Sequence, residues 1–286
     1  MLTTELIKLN NLQIAGKLVS EELMLGIHGS KRSGIGIEFE QYRHYEPGDD
    51  PKRIDWKLYA RTQKHLVRES ATESNFHIRF VLDLSGSMNY EEKGINRLNY
   101  CKILLASLAY LGYRQSDQMS LYALQNGDLE TFVPAGKQSF QRILYELEKA
   151  EAHGIWQNEN PKFPEFQQKQ KELFVLASDF LQVGDEWLKL IQSVANPRRE
   201  VLIFQVLGSE ELSFNLNGFY RFKDLETGKE MELEASTIKE SVRKKAESYL
   251  ANLDEALRIP HVHLIRTTLH EPIAQVISEA LRMRKI

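Results

Sequence analysis

A chain of 286 residues, 42% hydrophobic and 27% charged, is long enough for one large or two small domains and forms a core without covalent staples. A net charge of -3 excludes a bulk electrostatic drive toward nucleic acid or anionic membrane, and the single cysteine, Cys101, excludes an internal disulfide. The first residues lack the basic-then-apolar pattern of a secretory signal and the most apolar run, 103–113, is too short to span a bilayer, so we expect a cytoplasmic protein with no membrane insertion and no nucleic-acid binding.

Leu2, Leu6, Leu9 and Leu12 recur every three or four residues and predict an amphipathic helix within 1–25. The glycine- and serine-rich stretch 26–36 predicts a loop, and 37–50 a short strand that breaks at Pro47-Gly48. Strands and helices then alternate. Strands are expected at 77–84, 118–125, 129–135, 171–180, 199–208 and 261–268. Helices are expected at 96–114, 138–151, 185–195, 271–284 and from Ile238 to Leu257. In the first of these, Leu98, Cys101, Leu105, Leu108 and Leu111 line one face. Asn126-Gly127-Asp128 is a hairpin turn that makes 129–135 an antiparallel edge strand, and 218–235 reads as a second hairpin turning at Thr227-Gly228. The pattern predicts an α/β fold with a mostly parallel sheet covered by helices on both faces. It divides into an amino-terminal extension, 1–75, and a main domain, 76–286, with 218–235 inserted as a hairpin.

The first strand of that domain, "HIRFVLDL", is apolar up to Asp83 and then gives way to Ser85 and Ser87 at alternate positions. Ligand sites of open α/β sheets lie beyond the carboxyl ends of the strands, where Asp83 falls. Asp179 ends another apolar strand, "FVLASDF". Two carboxylates and two hydroxyls are an oxygen set suited to Mg²⁺ or Mn²⁺, and so few carboxylates leave such an ion open to an outside carboxylate or phosphate. The simpler alternative is that Asp83 caps the following loop and the serines serve a turn, in a metal-free scaffold. A metal-dependent phosphohydrolase with Asp83 as nucleophile is a third reading. It lacks an acid two residues on, where Ser85 stands.

Asp83-x-Ser85-x-Ser87, with an apolar strand before, an amphipathic helix after and Asp179 later, resembles the metal-ion-dependent adhesion site of von Willebrand factor A-type domains. The resemblance implies Asp83, Ser85 and Ser87 as metal ligands, with Asp179 direct or through water, and a Rossmann-like fold. Such sites add a threonine from the loop before a later helix; here that loop reads "PAGKQSFQ", and Ser139 is the substitute candidate.

Residues 39–69 are similar to the signature of domain of unknown function family 58: Arg43-x-Tyr45, Gly48-Asp49-Asp50, Arg53-Ile54-Asp55-Trp56, Ala60-Arg61 and Val67-Arg68-Glu69. That resemblance implies a non-enzymatic adaptor working with a MoxR-type AAA+ ATPase or its client. From the residues alone, the alternating Arg and Asp/Glu of 43–73 read as a clasp of guanidinium–carboxylate forks with Trp56 as its apolar anchor. A partner surface is the alternative, and a second metal site from Asp49, Asp50 and Asp55 is disfavoured by the neighbouring arginines. No zinc motif and no phosphate-binding glycine loop is present, His261 and His263 read as packing or edge residues, and Cys101 as inert core.

Overall fold

His77–Asp83 (strand β3) is buried at every position and has a parallel neighbour on each side. β-Branched and aromatic residues shielded on both faces make it the centre of a sheet, and the rest of the fold is built outward from it. The computed structural model describes residues 2–9, 11–29, 42–45, 54, 56, 59, 63–68, 76–125, 127–154, 171–181, 186–225 and 227–284. The helices are α1 (Thr3–Lys8), α2 (Leu12–Gly29), α3 (Arg97–Arg114), α4 (Ser139–Lys149), α5 (Glu186–Val194), α6 (Ser209–Ser213), α7 (Ala235–Ala256) and α8 (Ile273–Met283). Around β3 the strands are β1 (Tyr42–His44), β2 (Leu66–Arg68), β4 (Glu91–Glu92), β5 (Ile95–Asn96), β6 (Gln118–Gln125), β7 (Asp128–Val133), β8 (Glu172–Ser178), β9 (Arg199–Leu207), β10 (Phe219–Lys223), β11 (Glu230–Glu234) and β12 (Val262–Thr268).

The six-stranded sheet runs β12-β9-β8-β3-β6-β7, parallel except for β7, which pairs antiparallel with β6 at one edge. Numbered by their order in the chain, its strands lie 3-2-1-4-5-6 across the sheet. This is a doubly wound, von Willebrand A-like arrangement, and its order reverses between β3 and β8. The hairpin turn before β7 uses Gly127 at φ 83°, a conformation open to glycine.

Side chains alternate between two helical layers. Phe80 and Leu82 join the core with α3, α4 and α8, while Val81 joins Phe174, Ile203, Trp187, Ile191 and Leu257 on the opposite face with α5 and the end of α7. On that second face, at the amino ends of the strands, Glu172 sits between two guanidiniums. Arg79 donates to it at 2.5 and 3.1 Å and Arg199 at 2.6 Å. Both arginines lie over the Phe174 ring, at 6.0 and 5.4 Å. His77, hydrogen-bonded to Ser120 at 2.9 Å, joins the same cluster.

Several expectations change. The amino-terminal helix is two helices, α1 and α2, with Leu6 and Leu12 buried but Leu2 and Leu9 exposed. Helix α2 runs to Gly29 through the start of the predicted loop. Helix α3 is buried nearly all round because α2 covers its outer side; Gly16 approaches so closely that a Cβ there would lie 2.9 Å from the Ala106 Cβ. Trp56 is not the apolar anchor of its segment. It is 56% exposed and meets Tyr59 edge-on, whereas Ile54 is buried. The expected hairpin at 218–235 forms: β10 and β11 pair antiparallel, among the described residues only with each other, and Phe219 and Met231 stay exposed. Cys101 is buried in the core, where burial pushes its thiol up, as expected of an inert cysteine. Among the described residues no helix is long and apolar enough to cross a membrane.

Candidate metal centre

The carboxyl ends of β3 and β8 flank the point where the strand order reverses, and the loops leaving them diverge to opposite sides. Beyond β3 the chain turns through Leu84, held by its N–H on the Leu124 carbonyl, into a single 3₁₀ turn, Gly86–Asn89. The Gly86 N–H donates to the Gly154 carbonyl at 2.9 Å and fixes the loop from its far side.

Within this frame Asp83 is wholly buried. Its Oδ1 accepts the Ser85 N–H at 2.8 Å, and its Oδ2 accepts the Ser178 hydroxyl at 2.5 Å. The hydroxyls of Ser85 and Ser87 lie 3.0 Å apart, so the two side chains converge. Burial and, second, the nearby Asp179 carboxylate push Asp83 up to about 6, against the pull of its bonds from Ser178 and Ser85.

Asp179 follows β8 directly and is also wholly buried. Its Oδ1 accepts the Leu181 N–H at 3.1 Å, and its backbone carbonyl accepts the Gln205 amide at 3.0 Å. Phe180 next to it adopts a left-handed φ of 57°, which bends the chain away from the strand; its carbonyl receives the Tyr249 hydroxyl and its ring stacks on Trp187.

The residue that the motif does not reveal is Arg97. It starts α3, is fully buried, and donates from Nη1 to Asp179 Oδ2 at 2.5 Å and to the Ser87 carbonyl at 2.9 Å. Nη2 donates to Glu211 of α6, the guanidinium lies 4.7 Å from the centre of the Tyr90 ring, and among the described residues Nε has no hydrogen-bond partner. Burial alone would lower Arg97, but the charges of Asp179 and Glu211 outweigh it and raise it. A cation in the first turn opposes the helix dipole, and no acidic residue shares that turn. That unfavourable placement is the sequence signal that could have exposed its role.

A third buried carboxylate braces the rim. Glu92 accepts the Tyr90 hydroxyl, the Glu210 N–H and His270, at 3.1, 3.1 and 2.9 Å. Burial pushes Glu92 up, but these bonds more than offset it and hold it below the usual carboxylate range. Gly208 is required here by space, since a Cβ would fall 2.5 Å from the Tyr90 ring.

Of the candidate ligands, then, Asp83 ends β3, Ser85 and Ser87 lie on the loop that follows it, and Asp179 faces them across the switch point. Ser139, at the start of α4, lines a shallow cavity with Pro134, Lys137 and Arg142, and among the described residues no hydrogen bond joins it to the four. Among the described residues no three of His, Cys, Asp and Glu gather as a metal cluster, so any ion here relies on hydroxyls. The donor set fits a hard divalent cation. The Ser85 and Ser87 hydroxyls converge, and Asp83, Asp179 and Glu211 outnumber the one guanidinium among them, which leaves net negative charge at the rim. In the family signature, the backbone of Arg43 lies in β1, Tyr45 is partly buried and Trp56 exposed; Gly48, Asp49, Asp50, Arg53, Asp55 and Arg61 lie outside the described residues.

The model of the family described as protein of unknown function DUF58 matches residues 41–255. Uncharacterized proteins of Mycobacterium bovis and Mycobacterium tuberculosis are each 26% identical over 230 residues, 77% of this chain and 70% of theirs. Among solved structures, the conserved hypothetical protein BatB from Bacteroides thetaiotaomicron aligns with a TM-score of 0.43 at 15% identity, over 72% of this chain and 99% of that one. The SpRpn10 VWA domain aligns with a TM-score of 0.40 at 10% identity, over 71% and 94%.

Proposed function

We propose that this chain, which belongs to the DUF58 family, is a non-enzymatic interaction module whose contact point is a divalent cation, Mg²⁺ or Mn²⁺, at the rim between β3 and β8. The observation that carries this reading is a buried Asp83 set beside the converging hydroxyls of Ser85 and Ser87 at the point where the sheet reverses order. When bound, the hard cation supplies an open coordination position for an oxygen ligand from another protein. Asp83, Ser85 and Ser87 hold it, and Ser178 and the Ser85 N–H keep the Asp83 carboxylate in one orientation. Asp179 adds negative charge from the facing strand end. A MoxR-type AAA+ ATPase or its client is the partner that the family implies.

The test is a pull-down of a MoxR-type ATPase by wild type and Asp83→Ala, each with and without chelator. Capture that needs both the metal and Asp83 supports the reading; capture indifferent to both refutes it. The metal-free scaffold is favoured by one specific observation, the Arg97–Asp179 ion pair, which already places a cation in the rim. A melting temperature that does not respond to Mg²⁺ or Mn²⁺ would decide for the scaffold, because a ligand of the native state raises it.

A further inference from the structure

Arg97 stands out from the other described cations of the fold. Its side chain is wholly buried, it links the loop of Ser87, the strand end at Asp179 and helix α6, and among the described residues one of its nitrogens has no hydrogen-bond partner. Its Nη1 touches both Asp179, the carboxylate facing the proposed metal site, and the carbonyl of Ser87, whose hydroxyl is assigned to the metal. The guanidinium therefore meets negative charge that a divalent ion held by Asp83 would also meet, in surroundings where charges are little screened.

We propose that Arg97 is the resident cation of this rim and holds its affinity for a divalent ion down: Asp179 serves the guanidinium, and the ion is left to Asp83, Ser85 and Ser87. The proposal rests on the Asp83 site being the metal site. Two effects of Arg97 oppose each other. Its bond to the Ser87 carbonyl fixes the loop that carries two ligands, which helps the ion. Its charge repels the ion and satisfies Asp179, which hinders it. The charge effect dominates because the loop is also fixed by the Leu84, Gly86 and Met88 N–H groups, independently of Arg97. Arg97 is thus a positioning and tuning residue rather than a ligand. It also ties the rim to α6 through Glu211, whose Oε2 takes the Gly208 N–H at 2.6 Å.

The experiment is calorimetric titration of the full chain with Mn²⁺, comparing wild type, Asp83→Ala, Arg97→Lys and the double variant Arg97→Gln with Glu211→Gln. The double variant leaves net charge unchanged, so bulk attraction for the ion is the same. It is expected to bind Mn²⁺ about tenfold or more tightly than wild type. Its melting temperature should also gain more from Mn²⁺ than that of wild type. Arg97→Lys should stay near wild type. A merely structural arginine would lower the melting temperature of the double variant without tightening Mn²⁺, and that result overturns the proposal. Should the double variant not fold, Arg97→Gln alone replaces it, with the same expectation and the same refutation. The two readings separate cleanly. Wild-type binding lost in Asp83→Ala with no tightening on removal of Arg97 sinks only the arginine's role. Mn²⁺ binding that survives Asp83→Ala, or is absent from every variant, sinks the metal site and this inference with it.

Discussion

Replacing His77 by glutamine should remove an acid sensitivity built into the lower half of the sheet. His77 is pushed down to about 4 from its ordinary value of 6.5, first by burial and then by the charge of Arg79; Glu172 pulls the other way and Arg199 adds to the fall. The folded protein therefore takes up this proton only near pH 4, whereas the unfolded chain takes it up near pH 6.5. Between these values the unfolded chain binds more protons, so acid favours unfolding, and above pH 6.5 the residue contributes nothing to pH dependence. The gap of about 2.5 units corresponds to about 3 kcal/mol once pH falls below 4, and about 2 kcal/mol is already lost at pH 5. The groups facing His77 are Arg79 on its own strand, Glu172 on β8, Arg199 on β9 and the Ser120 hydroxyl on β6. Urea denaturation followed by tryptophan fluorescence, from pH 7.5 down to 4.5, measures the effect as the difference between wild type and His77→Gln. Subtraction cancels the carboxylates common to both. The wild type should lose about 2 kcal/mol more than the variant by pH 5. Stability curves that run parallel across this range would refute the argument.

Asp83→Asn should raise the stability of the metal-free chain at pH 7 by about 1–3 kcal/mol, because it removes a buried charge held next to Asp179, while abolishing Mn²⁺ binding. A fall in melting temperature would contradict it. Gly16→Ala should destabilise, although alanine is the better helix former by about 1 kcal/mol, because the new methyl group meets Ala106 and overpacking costs about 1–3 kcal/mol. A more stable Gly16→Ala protein in urea melts would show that α2 shifts to make room.

Local spacing carried much of what could be read in advance. Asp83, Ser85 and Ser87 lie within five residues of each other, and the strand before them is a single apolar run, so motif and fold class were legible together. Arg97 was not, because the carboxylates that define it are 82 and 114 residues away. Ser178 was hidden for the same reason: its bond to Asp83 crosses from one strand end to the next. The helix from residue 97 showed a clear apolar face, yet Lys102 on its remaining side is also buried, its ammonium reaching the Ala150 carbonyl at 2.5 Å. Nothing local distinguishes that lysine from one in water. Trp56 misled because size and aromaticity predict burial on average and say nothing about which residue of a short segment faces inward; Ile54 does.

The outer helix α2 has a bearing on how the molecule reaches its native state. Its buried side chains Ala15, Val19 and Leu23 belong to the same core as α3 and as α8, and Thr3 just ahead of it donates to the carbonyl of Glu271, 268 residues later. Helix α2 thus has no complete seat until α8, far along the chain, has been made. Loop closures of that length are slow. The sheet and its inner helices can assemble while the amino-terminal segment waits, with the apolar flank of α3 bare in the interval. Chaperone contact during translation should concentrate on that flank and end when α2 closes over it.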